Sequence, residues 1–484
     1  MQGLGGGGIA TAMGVTRLAG LSGLAAGLAG QPSSAATDQA GKPTAAWEQA
    51  LPLDTPLTAS PASIQLAPAE YAETPVWAYN DTVPGPLLRY RQGETLNRLL
   101  INDLPQPSTI HWHGLRLPNG MDGVPNMTQA PVEAGGGQFR YVFDLPDAGT
   151  YWYHPHAKSE EQVGRGLYGP LIIDEKDQAG WAQEAGVEDD QILILDDWRL
   201  TQTAALSEPF GNRHDRSHGG RIGNWVTANG VAEWRYPVRA GQRFRLRLIN
   251  TANARIFSLQ SLGLNAWIVA LDGMPLADPM ATDQILLGPA QRVDLVIDIT
   301  ASAGEAMLIS EERDGGYAIA TFPVDESATA GRSGVDNRAK PAPLPPNTVP
   351  AINDPARAKT VDLLMQGGAM GGAASLTREM IDAGMFWTFN GRAHMQIEPL
   401  VEAERGETVR VRMNNDTRWP HSMHLHGHHF QKVEGERLGP LRDTILMQPG
   451  EAFDIAFVAD NPGDWMFHCH MLGHQAAGMM TWVR

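Results

Sequence analysis

Four non-overlapping pairs of histidines separated by one residue lie along this chain, and these residues are well suited to metal chemistry. On a β-strand, residues i and i+2 face the same side, so each pair can present two imidazoles to one place. Eight imidazoles exceed the needs of one ion, and with about three ligands per metal they suit a cluster of about three ions. Imidazole binds zinc, copper, iron and nickel, and copper(II) lies near the top of the affinity order. The pairs are His111 and His113, His154 and His156, His424 and His426, and His468 and His470.

A second possible metal site surrounds the single cysteine of the chain, Cys469. His474 and Met479 follow it by five and ten residues, in the segment HCHMLGHQAAGMM. His421 lies three residues before His424 and therefore has the opposite parity on a strand. One cysteine, two histidines and a weak axial methionine form the ligand set of a blue-copper electron-transfer centre. The pattern predicts a mononuclear copper site beside the cluster.

The segment that carries the cysteine connects the two predicted sites. Cys469 lies between His468 and His470, so on a strand its sulfur points away from their imidazoles. Electrons collected at the single copper would pass from Cys469 through the adjacent backbone to these two cluster ligands. This arrangement suits the reduction of dioxygen, which takes four electrons, by donors that release one electron at a time. A zinc cluster is the alternative, but zinc has no redox chemistry and leaves the Cys–His–Met set unexplained.

The elements that must position these residues are β-strands. The chain contains 53 glycines and 34 prolines and shows no long helical period, which favours turns and strands. Three segments start with a turn glycine, at Gly93, Gly241 and Gly406, and continue with alternating apolar and polar residues typical of a half-buried strand. The spacing predicts an all-β fold with three consecutive β-sandwich domains. The predicted ranges are 45–180, 181–335 and 357–484, with a proline-rich linker at 336–356.

The two outer domains repeat each other more closely. A glycine precedes one histidine pair by five residues in both domains, and an asparagine precedes the other pair by nine residues. The middle domain has the strand pattern but no His-x-His pair, so it is interpreted as a spacer without copper ligands. The repeated residues are Gly149 and Gly463 for the first spacing, and Asn102 and Asn415 for the second.

Composition excludes several classes of protein. The chain has 37 basic and 54 acidic residues and a net charge of −17. This charge argues against binding to nucleic acid or to anionic membranes. A lone cysteine excludes an internal disulfide and cysteine-rich zinc or iron–sulfur sites. Residues 1–44 are interpreted as an export signal or flexible tail, because an apolar run at 19–30 precedes a small-residue cleavage pattern. We therefore expect a periplasmic or secreted protein, without stable membrane insertion and monomeric.

The motifs HWHG, WYHPH, HSMHLHG and HCHMLGH resemble, in order and spacing, those of the multicopper oxidases, which include laccases and bacterial cuprous oxidases. The resemblance covers about residues 60–484. It implies three cupredoxin-like Greek-key domains and four copper ions, of which one is type 1, one type 2 and two type 3. By analogy, the type 2 ligands are His111 and His424; the type 3 ligands are His113, His154 and His470 for one ion and His156, His426 and His468 for the other; the type 1 ligands are His421, Cys469 and His474, with Met479 axial.

The same resemblance suggests how protons reach the cluster. Asp122, in the segment PNGMDG, matches an acid that the family uses to relay protons, and oxygen reduction consumes four of them. Bacterial members often place a second acid where this chain has Gln475, which has no titratable proton. Either Glu160 or Glu161 substitutes for it, or protons enter by water alone. The residues expected to be catalytic are Asp122, His468, Cys469 and His470.

The electron donor is less well defined by the sequence. Cuprous-oxidase members carry an aspartate and a methionine just before the first type 1 histidine and a long methionine-rich insert, which this chain lacks. Trp419, close to that histidine, would suit stacking on planar phenols or aryl amines, although it can equally belong to the core. His214 and His218 lie in a polar loop that is either solvated or gates the substrate.

We therefore expect a laccase-like enzyme that couples four one-electron oxidations of a small phenol or aromatic amine to the reduction of dioxygen to water. One alternative is a metallo-oxidase of copper(I) or manganese(II) in copper tolerance. An alternative of a different class is a resistance protein that sequesters copper without turnover.

Overall fold

β-Strands dominate the computed structural model, which describes residues 36–37, 43–44, 46–313, 315–325, 339–352, 354–370 and 376–484. The all-β prediction is confirmed. The chain divides into two units, Met1–Pro43 and Thr44–Arg484, and the sheets described below belong to the second. Nearly all of the expected export signal or tail lies outside the described residues. Two short strands come first, β1 (Ala36–Thr37) and β2 (Pro43–Thr44).

The first histidine pairs lie in a two-sheet sandwich near the start of the chain. Its strands are β3 (Leu57–Ile64), β4 (Thr74–Tyr79), β5 (Leu88–Arg91), β6 (Thr95–Asn102), β7 (His111–His113), β8 (Gly137–Asp144), β9 (Gly149–His154) and β10 (Gly169–Asp174), with helices α1 (Ser159–Gln162) and α2 (Gln178–Ala185). The sheet orders are β4-β3-β6-β8 and β5-β10-β9-β7. In β6, buried and more exposed residues alternate after the Gly93 turn, as its sequence predicts.

The middle part of the chain forms two larger sheets. Its strands are β11 (Asp190–Trp198), β12 (Trp225–Ala228), β13 (Trp234–Arg235), β14 (Val238–Arg239), β15 (Arg243–Asn250), β16 (Phe257–Leu262), β17 (Leu264–Leu271), β18 (Met274–Thr282), β19 (Gln284–Leu287), β20 (Arg292–Ile299), β21 (Glu305–Glu312) and β22 (Gly315–Asp325), and its one described α-helix is α3 (Arg213–Ser217). The orders are β12-β11-β15-β20-β17-β18 and β13-β22-β21-β16-β19, with β14 paired to β22.

Strand β15 differs from the expected half-buried strand, because every one of its residues is buried. Its alternating arginines are neutralised by acids instead of facing water. Arg243 makes a two-pronged ion pair with Asp298, at 2.7 and 2.8 Å, and Arg245 and Arg247 are paired with buried or half-buried carboxylates of neighbouring segments. Buried charges of this kind require partners, and local alternation does not reveal them.

The remaining histidines lie in a third two-sheet sandwich. Its strands are β23 (Lys359–Gly367), β24 (Trp387–Phe389), β25 (Thr408–Asn415), β26 (His421–Leu425), β27 (Phe430–Glu434), β28 (Arg437–Arg442), β29 (Thr444–Met447), β30 (Ala452–Val458), β31 (Trp465–Cys469) and β32 (Met480–Val483), with helices α4 (Arg378–Asp382) and α5 (Leu472–Ala476). The orders are β24-β23-β25-β30-β27-β28 and β29-β26-β31-β32. Each pair of sheets forms within one expected range; the domain limits themselves stay predictions.

One hydrophobic cluster extends through the first and third sandwiches and orients the histidine strands. It includes Trp112 of β7, Tyr153 of β9, Met423 of β26 and Phe467 of β31. Each of these side chains is next in sequence to a histidine of a predicted pair. Because neighbouring side chains of a strand point to opposite faces, burying the apolar residue in the core turns the histidine toward the other side. Within the described part of the chain, no helix is long and apolar enough to span a membrane.

Candidate metal centre

The four histidine pairs come together where two strand pairs end. Antiparallel pairing places His111 of β7 opposite His154 of β9, and His424 of β26 opposite His468 of β31. The second histidine of three pairs lies just beyond its strand, and only the pair that includes His111 lies wholly within one. All eight side chains are buried. Rings from the two sandwiches stack on each other, with centroids 3.7 Å apart for His113 and His424 and 4.0 Å for His111 and His426.

Hydrogen bonds to outward acceptors orient most of these imidazoles. The Nδ1–H of four histidines donates to a backbone carbonyl at 2.9–3.0 Å, and that of a fifth, His426, donates to Asp122 Oδ2 at 2.9 Å. A proton held on Nδ1 leaves the lone pair on Nε2, the usual arrangement of a metal-binding histidine. The donor and acceptor pairs are His111 and Asp122, His154 and Pro155, His424 and Asp443, and His468 and Cys469.

The nitrogens left free by these bonds converge. Nε2 of His426 lies 3.0 Å from Nε2 of His468, and Nε2 of His154 lies 3.4 Å from Nε2 of His470. The buried Nε2 atoms of His111 and His424 have no hydrogen-bond partner among the described residues. Lone pairs that face one another repel unless a cation lies between them, so this donor set fits metal ions that accept imidazole nitrogen. Potential ligand atoms lie within 4.8 Å of one another in the sets His111–His424–His426, His156–His426–His468 and His111–His113–His154.

His113 is oriented differently from its neighbours. Its Nε2 lies 3.2 Å from both Asp443 Oδ1 and Thr444 Oγ1, so Nε2 carries the proton. The buried Nδ1 has no hydrogen-bond partner within the described ranges and is the atom available to a metal. The same carboxylate oxygen of Asp443 also lies 3.4 Å from His424 Nδ1, so one acid contacts a histidine of each sandwich.

A three-residue site of different chemistry lies on the other face of β31. Sγ of Cys469 is 3.6 Å from His421 Nδ1 and 3.8 Å from His474 Nδ1, and the two nitrogens are 3.1 Å apart. The opposite nitrogens are engaged: His421 Nε2 lies 2.9 Å from Thr417 Oγ1, and His474 Nε2–H donates to the carbonyl of His218 at 2.6 Å. Both Nδ1 atoms therefore point at the sulfur, as the predicted parity requires.

This second site is closed to water by its surroundings. Cys469, His421 and His474 are completely buried, and the ring of Trp387 packs against both histidines with centroid distances of 5.0 and 4.3 Å. Met479 is also buried, and its carbonyl accepts the Cys469 backbone N–H at 3.1 Å. Burial raises the pKa of the Cys469 thiol to about 12, so the thiolate needs a cation beside it.

The predicted proton-relay residue contacts two cluster histidines, whereas the two glutamates predicted as substitutes are paired with arginines. Asp122 is buried, with Oδ1 3.2 Å from His111 Nδ1 and Oδ2 2.9 Å from His426 Nδ1. Glu160 forms an ion pair with Arg216 and Glu161 forms one with Arg165. The side chain beside His156 is instead Gln475, whose Nε2 lies 3.5 Å from His156 Nε2 and whose Oε1 accepts the Ser159 hydroxyl at 3.4 Å.

Two residues of this centre were not identified from the sequence. Asp443 contacts His113 and His424, and Arg292 of β20 binds both oxygens of Asp443 at 2.5 and 2.9 Å. The Arg292 guanidinium holds the pKa of the Asp443 carboxyl well below its usual range. Asp443 follows an arginine in the segment RDTILM, which has no metal-site pattern, and Arg292 begins the run RVDLVIDI, whose alternation indicates only a strand.

Comparison with known proteins assigns the chain to a family. Family models described as multicopper oxidase match residues 62–178, 189–322 and 373–484. Multicopper oxidase MmcO of Mycobacterium tuberculosis is 32% identical, over 83% of this chain and 82% of that protein. Copper resistance protein A of Pseudomonas syringae pv. tomato is 26% identical, over 84% of this chain and 89% of that protein. The chain belongs to the multicopper oxidase family, so the resemblance is confirmed.

Solved structures agree with this assignment. A multi-copper oxidase from Pseudomonas thermotolerans is 33% identical with a TM-score of 0.77, covering 90% of this chain and all of that one. Lac15 from a marine microbial metagenome is 40% identical with a TM-score of 0.71, covering 89% of this chain and all of that one. The fold is therefore of the cupredoxin-like type, and the protein is an oxidoreductase that uses copper and dioxygen.

The buried imidazoles make the metal-free protein sensitive to acid. Burial is the largest cause that lowers the pKa of nine site histidines, for example to about 3 for His468 and about 4 for His474. These histidines take up protons near pH 6.5 in the unfolded chain but not in the folded protein. The free energy of unfolding is therefore highest above that pH and decreases as the pH falls. Between pH 7.5 and 5.5 each such histidine should lower the free energy of unfolding by roughly 1 kcal/mol. The other seven are His113, His154, His156, His421, His424, His426 and His470.

Chemical denaturation of copper-depleted protein at several pH values measures this dependence. The slope of the unfolding free energy against pH counts the protons taken up on unfolding. His154→Gln should reduce that number by about one, because it replaces a buried imidazole with a group that does not titrate. His394→Gln, at an exposed histidine, should keep the wild-type slope. Equal unfolding free energies at pH 7.5 and 5.5 would contradict the burial argument.

Proposed function

We propose that the protein binds four copper ions and couples four one-electron oxidations of phenols or aromatic amines to the reduction of dioxygen to two waters. The observation that carries the proposal is the position of Cys469 on one strand between His468 and His470, with its sulfur in one ligand set and their imidazoles in another. Copper, when bound, supplies one-electron transfer at the cysteine site and reduction of dioxygen at the histidine cluster. The remaining functions fall to the protein groups.

The proposed ligand assignment follows the free nitrogens. His111 and His424, whose Nε2 atoms lack other partners among the described residues, suit the type 2 ion. His156, His426 and His468 form one compact set and suit one type 3 ion. His113, His154 and His470 are proposed for the other type 3 ion, on the support of the 3.4 Å contact of His154 with His470 and the 4.9 Å ring distance of His113 from His470. The type 1 ligands proposed are His421, Cys469, His474 and the axial Met479.

Two short connections join the proposed sites. Cys469 is one peptide unit from His468 and one from His470. The Cys469 carbonyl also accepts the His468 Nδ1–H at 2.9 Å, which adds a hydrogen-bonded route to the covalent one. Because both routes run through buried backbone, their geometry is held by the β26–β31 pairing and by the core.

The donor class is supported by the surface above His474. The His218 carbonyl covers His474 Nε2, and Trp419 packs edge-on against the His218 ring at 5.5 Å. Trp419 is half-buried, and its Nε1–H donates to the Ala369 carbonyl at 2.9 Å. A planar aromatic donor can pack against these two half-buried rings. A periplasmic or secreted location and a monomeric state belong to the same proposal and rest on the sequence alone.

Copper content and colour test the assignment. Wild-type protein reconstituted with copper should contain about four ions per chain and absorb intensely in the red, because a thiolate transfers charge to copper(II). Cys469→Ser should lose that band and about one ion, and turnover of a phenol with dioxygen should stop.

His394→Ala, at an exposed histidine outside both ligand sets, is the matched control and should keep the copper, the band and the turnover. Far fewer than four ions in the wild type would refute the proposed stoichiometry. Full copper binding without oxygen uptake would favour sequestration instead.

A separate variant tests the proton role of Asp122. The carboxylate contacts His111 and His426 and can pass protons to the cluster, so Asp122→Asn should lower turnover about 100-fold. Asp122→Glu keeps a titratable group and should recover part of the activity and the pH dependence. The pH–rate profile and copper content of both variants are the measurements. An unchanged profile in the Asn variant, with full copper, would remove Asp122 from the mechanism.

A second candidate function, oxidation of copper(I), is favoured by one feature of α3. His214 and His218 lie four residues apart with stacked rings 4.1 Å between centroids, and His214 is 77% exposed. His218 Nδ1–H donates to the His214 carbonyl at 3.0 Å, which places the lone pair of this imidazole on Nε2. A multicopper oxidase from Campylobacter jejuni, 26% identical with a TM-score of 0.73, is described as a metallo-oxidase. Four copper(I) ions would each lose one electron per dioxygen.

The His214→Ala/His218→Ala double variant separates the two donor classes. If copper(I) binds this pair, oxygen uptake with copper(I) should fall at least about tenfold, because each imidazole contributes a ligand. Turnover of a small phenol should change much less, since the His218 carbonyl that meets His474 remains. His394→Ala again serves as the control. Equal loss with both donors would show that α3 acts only through the type 1 site.

A further inference from the structure

We propose that Arg292, from the middle part of the chain, is a positioning residue of the histidine cluster: it anchors Asp443, which selects the ligating nitrogen of His113 and orients His424. The inference rests on the proposed copper assignment and adds a role for the middle sheets, which the sequence had suggested to be a spacer. Arg292 is separated from Asp443 by 151 residues and lies at the start of β20.

The contacts of Arg292 join all three parts of the chain. Its two terminal nitrogens bind the two oxygens of Asp443 at 2.5 and 2.9 Å, and its Nε–H donates to the carbonyl of Thr150 in β9 at 3.1 Å. Its own backbone N–H donates to Asp272 Oδ1 at 2.9 Å. Arg292 and Asp443 are both completely buried, so no water competes for these bonds. A planar guanidinium fits such a two-pronged contact, and an ammonium group does not.

Asp443 transmits this anchoring to two histidines. Its Oδ1 accepts the His113 Nε2–H at 3.2 Å and the Thr444 hydroxyl at 2.7 Å, while its backbone carbonyl accepts the His424 Nδ1–H at 3.0 Å. His113 is thereby the cluster histidine that presents Nδ1, because its other nitrogen is held by the carboxylate. A buried carboxylate is costly without a cation. Without Arg292, Asp443 would lose the two bonds that fix its carboxylate, and the position of the acceptor for His113 Nε2–H would no longer be determined.

The glycine of the HWHG motif gives independent support. A Cβ atom on Gly114 would lie 2.3 Å from Arg292 Nη2 and 2.5 Å from Asp443 Oδ2. The backbone that follows His113 therefore runs directly against the ion pair, at a φ of +89° that favours glycine. Glycine at this position of the motif leaves room for the Arg292 guanidinium beside the two histidines.

The chain contains a matched control for the experiment. Arg243 of β15 and Asp298 of β20 form another buried, two-pronged ion pair, in the sheet that carries Arg292 and at the opposite end of β20. The hydrogen bonds that Arg243 makes to described residues go to Asp298 and to the carbonyls of Ala185 and Ala339, none of which is a histidine. Arg292→Met and Arg243→Met therefore remove the same type of interaction from the same sheet, and only the first acts on the cluster.

The experiment compares copper-reconstituted wild type, Arg292→Met and Arg243→Met by copper analysis, red absorption and electron paramagnetic resonance. Arg292→Met should keep the thiolate band, because the Cys469 site is untouched, but should lose one or more copper ions per chain and show an altered type 2 signal. Arg243→Met should match the wild type in all three measurements. Wild-type signals and full copper in Arg292→Met would overturn the inference.

Arg292→Lys covers the case in which Arg292→Met does not fold. Lysine keeps the buried charge but cannot bind both oxygens of Asp443 and the Thr150 carbonyl together. It should fold, retain the thiolate band and show a smaller loss of cluster copper; a wild-type cluster in this variant would overturn the geometric argument. A wild-type protein that binds no cluster copper would instead refute the proposed function, so the two failures are distinguishable.

Discussion

Six of the eight cluster imidazoles donate their outward N–H to a fixed acceptor, and these bonds turn their remaining lone pairs toward one another. Backbone carbonyls supply most acceptors, including those of Asp122 and Cys469, because the histidines lie where strands end and carbonyls are free from the ladders. Two carboxylates supply two more: Asp122 binds His426 and Asp443 binds His113. Imidazoles that are neutral, buried and oriented before a metal arrives need little rearrangement to bind it, which is the general advantage of a prearranged outer set of contacts.

The negative charges of the two carboxylates are compensated in different ways. Asp443 is neutralised by Arg292, so its charge is permanent and its role is to hold geometry. Asp122 lies between His111 and His426, and no arginine or lysine ion pair with it occurs in the described part of the chain. An acid surrounded by imidazoles is the better placed of the two to exchange protons as the charge of the cluster changes. Asp443 is therefore suited to holding the cluster geometry and Asp122 to exchanging protons, although both acids contact cluster histidines directly.

Much of this centre was predictable from local sequence. The parity of Cys469 against His468 and His470, and of His421 against His424, placed the two sites on opposite faces of neighbouring strands, which the structure shows. The pairing of Arg292 with Asp443 was not predictable, because local periodicity contains no information about which distant charge meets which. The same limit explains β15, where RLRLIN alternates like a half-buried strand and yet is buried throughout. Charges buried between sheets look like surface residues in a single sequence.

Under the proposed function, electrons enter at the cysteine site, and the fold keeps this site apart from the histidine cluster. His474 is completely buried beneath the His218 carbonyl, so a donor of the proposed kind would contact the surface around α3 and not the imidazole itself. That surface is held from below by Trp387, whose Nε1–H donates to the Arg216 carbonyl at 2.5 Å while its ring packs on His474. This cover of backbone and aromatic rings keeps water from the Cys469 sulfur. One hydrogen bond, from His474 to the His218 carbonyl, still connects the surface to the site. Donor specificity can then change through α3 side chains without any change in the metal ligands.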